Sequence, residues 1–133
     1  MSVVYHASIP AEEFAGGATY QTLIGHEQGS TPIRTGIQTS APGYAAPMHS
    51  HPYLEVLYVL EGTAEAWLEG GEDRKAILQP GDTIAFPPNV PHTFRVVGTA
   101  TLRTLGTHVS PRRIVDYRDG GPTDAQGYRV WRD

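Results

Sequence analysis

Four side chains in this chain have the types and spacing to hold a metal ion. His49, Ser50 and His51 are followed by Pro52, Tyr53, Leu54 and Glu55, and His92 comes later, behind the proline-rich run Pro87-Pro88-Asn89-Val90-Pro91. Imidazole and carboxylate are ordinary ligands for divalent Zn, Fe, Mn, Ni or Co. The spacing also indicates the backbone that presents them. Residues two apart lie on one face of a β-strand and on different sides of a helix. A helical zinc site would instead place its histidines at i and i+4. Glu55 keeps the same parity as His49 and His51, so an extended backbone directs all three the same way.

The elements that would carry these residues are short strands. The chain has 133 residues, with Gly 15 and Pro 11 spread along it. That length suits one domain with one core, and that distribution suits many short elements joined by turns. Strands are expected at Thr19–Gly25, Thr31–Thr39, Glu55–Leu60, Thr63–Glu69, Lys75–Leu78, Thr83–Phe86, His92–Val97 and Thr101–Val109. Ile9–Phe14 reads as a short helical turn with Pro10 near its start. Regular short strands without a long amphipathic helix point to an all-β sandwich or barrel. In Glu55–Leu60, Glu55, Leu57 and Val59 share one face and Val56, Tyr58 and Leu60 the other. Both faces are apolar apart from Glu55, so the second is expected to be covered, with a subunit interface as the natural cover.

Composition narrows the function. The net charge is −4, which favours neither nucleic acid nor an anionic membrane surface. Cysteine is absent, which removes disulfides, thiolate ligands and cysteine nucleophiles. Met1–Ala7 lacks the pattern of a signal peptide and no stretch approaches a membrane span, so a cytoplasmic location is expected. No phosphate-binding glycine loop is present.

The glycines around the ligands add a resemblance. Gly43, His49, His51, Glu55 and Gly62 match the first cupin motif with every gap in register, and Gly81, Pro87 and His92 match the second. The chain is thereby similar to the cupin superfamily over about residues 30–110. Asn89 stands where the family has Gly, and Val96 where it has Asn. Asn tolerates left-handed backbone, so Asn89 can make the same turn. The resemblance implies an antiparallel double-stranded β-helix, or jelly-roll barrel, over 31–110. Residues 1–30 would be an N-terminal strand or arm, and 111–133 a tail docked on the barrel or on a partner. It implies one divalent transition metal ion on His49, His51, Glu55 and His92, and a homodimer. A small-molecule ligand is expected, with no nucleic acid or membrane partner.

Other residues admit two readings each. Leu57, Phe94 and Gln38 are candidates for the pocket wall, or are plain core and, for Gln38, surface. Arg34 and Arg103 could bind a substrate carboxylate, or lie on a solvated strand face. Tyr53 could shape the mouth or face solvent. Ser50 points away from the ligands. His6, His26 and His108 have no assigned role, and His108 is not expected to be a ligand. The functional expectation is a mononuclear metal-dependent enzyme acting on a small organic molecule, with dioxygenase-type chemistry favoured. The alternatives are an isomerase or lyase acting on a sugar or carboxylic acid, and a non-catalytic barrel that binds a small molecule or metal.

Overall fold

The computed structural model describes residues 2–26 and 31–118. Their strands are β1 (Glu12–Phe14), β2 (Ala18–Ile24), β3 (Arg34–Ser40), β4 (His49–Ser50), β5 (Glu55–Glu61), β6 (Ala64–Leu68), β7 (Ala76–Leu78), β8 (Thr83–Phe86), β9 (His92–Val96), β10 (Leu102–His108) and β11 (Asp116–Tyr117). They form two antiparallel sheets, ordered β1-β2-β3-β10-β5-β8 and β11-β4-β9-β6-β7. This is the all-β jelly-roll arrangement. The one helical element among the described residues is a 3-10 turn, His6–Ser8.

The strand pattern follows from alternation. In β10, Leu102, Thr104, Gly106 and His108 are buried, while Arg103, Leu105 and Thr107 are half-buried. In β5 the inward set is Glu55, Leu57 and Val59. The core between the sheets joins Leu57, Val59, Ala64, Ala66, Phe86, Phe94 and Leu102, and each large side chain buried there contributes about 1.5–3 kcal/mol. The outward face of β5 is left uncovered by the described residues: Val56 and Leu60 are half-buried and Tyr58 is 40% exposed.

Two local expectations are corrected. Glu12–Phe14 is an edge strand and not a helical turn; it pairs with β2, and Phe14 stacks on Tyr20 at 5.6 Å between centroids. That pairing supplies more apolar contact than a single isolated helical turn could. The strand expected from Thr31 starts at Arg34, because Pro32 has no N–H to give a ladder. The N-terminal segment carries β1 and β2, and β2 pairs along β3 from Ala18 to Ile24 as part of the larger sheet. Of the tail, residues up to Arg118 lie on the barrel, with β11 paired to β4, and the remainder falls outside the described residues.

Two turns hold special backbone. Asn89 has φ +63°, the left-handed turn expected of it, and its N–H donates to His51 O at 2.7 Å. Gly62 has φ +82°, and a Cβ there would lie 2.5 Å from Thr101 O.

Candidate metal centre

β4, β5 and β9 bring the predicted ligands together. His49 and His92 are cross-strand partners, and Glu55 opens β5 on the facing sheet. One ligand atom from each of His49, His51, Glu55 and His92 lies within 4.8 Å of all the others. His51 and His92 are buried, as is Glu55.

The second nitrogen of each imidazole fixes its orientation. His49 Nδ1 donates to Pro47 O at 2.6 Å, His51 Nδ1 to Ile114 O at 2.6 Å, and His92 Nδ1 to Val90 O at 3.0 Å. Carbonyls only accept, so these bonds place the proton on Nδ1 and leave each Nε2 as a lone pair. Metal-binding histidines are typically held in this way. Phe86 stacks on the His92 ring at 3.9 Å and keeps it in plane.

Those lone pairs face a carboxylate. Glu55 Oε1 lies 3.3 Å from His51 Nε2 and 3.2 Å from His92 Nε2. His51 Nε2 is buried and has no hydrogen-bond partner. Acceptors crowding an ionised carboxylate are costly unless a cation sits among them. The donor set therefore fits a divalent ion, and this set of nitrogen and oxygen ligands does not select one metal. Burial, and then the charges of His92 and His51, lower the His49 pKa to about 3, so its ring is neutral at neutral pH and competent as a ligand.

Glu55 has a second set of partners that the sequence did not reveal. Its Oε2 lies 3.1 Å from His108 Nε2, and His108 Nδ1 lies 2.6 Å from Tyr53 Oη. Ile114 N–H donates to that same phenol oxygen at 3.2 Å. The polarity then runs one way: Ile114 N–H to Tyr53, Tyr53 O–H to His108 Nδ1, His108 Nε2–H to Glu55 Oε2. Burial alone would raise the Glu55 pKa, but the charge of His108 and its hydrogen bond, with the His51 and His92 rings close by, outweigh it and hold it well below the usual range. Burial pushes the His108 pKa down despite the attraction of Glu55. His108 thus stands beside the four converging residues, bonded to one of them.

The cluster opens into a cavity of about 200 Å³. Leu57, Phe94 and Gln38 all line it, as do Tyr20, Thr104 and Arg113. Gln38 also donates to Ser40 Oγ at 3.3 Å. Tyr53 is buried rather than solvent-facing. Arg34 is 3% exposed and donates to Thr22 Oγ1 at 2.7 Å, so it does not lie on a solvated face. Arg103 is outside the cavity lining and pairs with Glu61 at 3.6 Å. Ser50 pairs with Asp116 across β4 and β11 and is likewise absent from the lining. His6 meets Gln21 at 2.8 Å and His26 meets Arg34 at 3.4 Å, both away from the centre.

Similarity to known proteins agrees with this geometry. The polyketide cyclase RemF from Streptomyces resistomycificus has a similar structure, with TM-score 0.73 and 26% identity over 96% of this chain and 90% of that one. The dimethylsulfoniopropionate lyase DddQ of Ruegeria pomeroyi is 40% identical over 53 residues, 40% of this chain and 25% of the lyase. The uncharacterised HTH-type transcriptional regulator YobQ of Bacillus subtilis is 31% identical over 83 residues, 62% of this chain and 33% of the regulator. The chain thus spans between a quarter and a half of the length of the curated relatives it matches. The family model described as "Cupin domain" matches residues 36–108, which take in every ligand candidate and both motifs, and the chain belongs to that family.

Proposed function

We propose that this protein is a divalent-metal-dependent enzyme that moves protons on a small oxygen-bearing organic molecule, as a lyase, isomerase or cyclase does. The observation that carries this reading is the convergence of three imidazoles, each held through Nδ1 by a backbone carbonyl, on the ionised Glu55. A cation held there would serve as a Lewis acid toward a carbonyl or hydroxyl oxygen. The protein's own part is to fix the ligands and to hold protons at defined atoms beside the substrate. His108 keeps its proton on Nε2, directed at Glu55, and Tyr53 keeps its proton directed at His108. Leu57, Phe94 and Tyr44 form the apolar wall that limits water in the cavity. The names of RemF and DddQ, a cyclase and a lyase, support the same class. We further propose a homodimer that covers Val56, Tyr58 and Leu60; a monomer in light scattering at micromolar concentration would refute it.

The test begins with metal analysis of protein purified without added metal. Protein reconstituted in turn with Zn(II), Mn(II), Ni(II) and Fe(II) is then screened for oxygen consumption and for turnover of enolisable carbonyl compounds. Turnover without oxygen uptake, supported by a redox-inactive ion, is the expected result. Oxygen uptake that requires Fe(II) would replace this reading with the dioxygenase one.

A further inference from the structure

The cavity wall beyond the metal cluster carries polar groups that the metal centre does not use. Tyr20 Oη and Thr104 Oγ1 both line the cavity, and both are buried without a hydrogen-bond partner. Their residues are 4% and 1% exposed. A buried hydroxyl without a partner is unfavourable, and two on one cavity wall point to a ligand that meets them.

Their placement is built into the larger sheet. Along β3 and β10 the inward positions form rows, Gln38 opposite Thr104 and Gly36 opposite Gly106. The Tyr20 side chain crosses from β2 over Gly36, where a Cβ would stand only 2.1 Å from Tyr20 Oη. Only glycine leaves room for the phenol there. A Cβ on Gly106 would lie 3.8 Å from Glu55 Oε2. Gly36 and Gly106 are cross-strand partners, with Cβ positions roughly 5 Å apart, so the Tyr20 hydroxyl sits about one short carbon chain from the carboxylate of the metal cluster.

A buried guanidinium stands beside this wall, among the acidic residues Glu12, Glu13 and Glu55. The Arg113 guanidinium is 4.8 Å from the Tyr20 ring centroid, and its Nη2 bonds Glu12 at 2.9 Å. Burial raises the Tyr20 pKa and keeps the phenol protonated. The charges of Arg113 and Arg34 and the nearness of the Arg34 side chain to the phenol act against that rise, and Glu55 adds to it. Two O–H donors beside a buried guanidinium match an acceptor oxygen that carries negative charge.

We propose that Tyr20, Thr104 and Arg113 form a carboxylate subsite, so that the substrate is a small keto or hydroxy acid. Its carboxylate lies on the β2–β3–β10 wall and its reacting oxygen at the His49–His51–Glu55–His92 cluster. This rests on the metal-enzyme reading for the second oxygen only. Calorimetric titration of the metal-loaded protein compares levulinate with 2-pentanone, the matching ketone without the carboxylate. Levulinate is expected to bind about tenfold tighter or more, the scale of hydrogen bonds to a charged group. Tyr20→Phe and Thr104→Val should each remove most of that difference, with metal stoichiometry and thermal midpoint near wild type. Equal binding of the two compounds, meaning that the hydroxyls serve only water, would overturn the subsite. So would unchanged levulinate affinity in both variants. Failure to load metal would count against the proposed function instead, and the same titrations on metal-free protein would still read the subsite.

Discussion

Acid should destabilise the metal-free protein well before its carboxylates begin to titrate. His49 is an ordinary histidine when unfolded, with pKa 6.5, and about 3 when folded. Between those values the unfolded chain binds a proton there that the folded chain does not. Stability therefore rises with pH across that window and falls as pH drops below 6.5. The loss approaches about 1.4 kcal/mol per pH unit and comes to about 2.3 kcal/mol between pH 6.5 and 4.5. Glu55 adds loss of the same sign only near pH 4.5, because its pKa is 4.5 when unfolded and lower when folded, so over most of that interval it is ionised in both states. His108, also lowered by burial, adds loss of the same sign. For 133 residues the unfolding entropy is about 0.28 kcal/mol/K, so the His49 share amounts to roughly 8 °C in Tm. The assay is urea or thermal unfolding of chelator-treated protein from pH 7.5 to 4.5, beside His49→Asn, which keeps a donor for Pro47 O but has no titrating ring. The variant should lose stability less steeply, by about 1.4 kcal/mol per unit below pH 6.5. Equal slopes in the two proteins, or stability that rises on acidification, would refute the reasoning.

Other predictions bear on the remaining contacts. His92→Ala should cut metal occupancy by an order of magnitude or more in elemental analysis, and wild-type occupancy would sink the ligand assignment. Tyr53→Phe removes the donor to His108 and the acceptor for Ile114 N–H, so it should lower stability by about 1–3 kcal/mol in urea melts; a cost below 0.5 kcal/mol would show that the chain of bonds does not form. Gly36→Ala should cost about 1–3 kcal/mol by displacing Tyr20, and the double variant with Tyr20→Leu should cost less than the sum of the two single changes. Strict additivity would mean that the phenol lies elsewhere.

The ligands were legible because their signal is local. His49, His51 and Glu55 lie within seven residues, and strand parity alone puts them on one face. The partners of Glu55 were not legible, because Tyr53 and His108 are 55 positions apart and meet only through the register of β10 on β5. The one available signal for His108 was its parity with Leu102, Thr104 and Gly106 on β10. Arg34 follows the same logic: its parity with Gly36 placed it inward, but nothing local marked that face of β3 as the buried one. The first strand was misread because Pro10 suits a helix start as well as an extended approach to a strand, and only pairing with β2 decides between them.

His51 is held by the carbonyl of Ile114, and the cavity is walled in part by Phe14, Tyr20, Arg113 and Val115, all outside the span 36–108 that the family model matches. The common barrel thus supplies the ion's ligands, while sequence on either side of it supplies much of the wall that a substrate would touch. A change of substrate could arise by exchanging those two flanks, with every ligand left in place. By the same geometry, trimming the chain at residue 108 would leave a recognisable barrel whose His51 ring had lost its anchor.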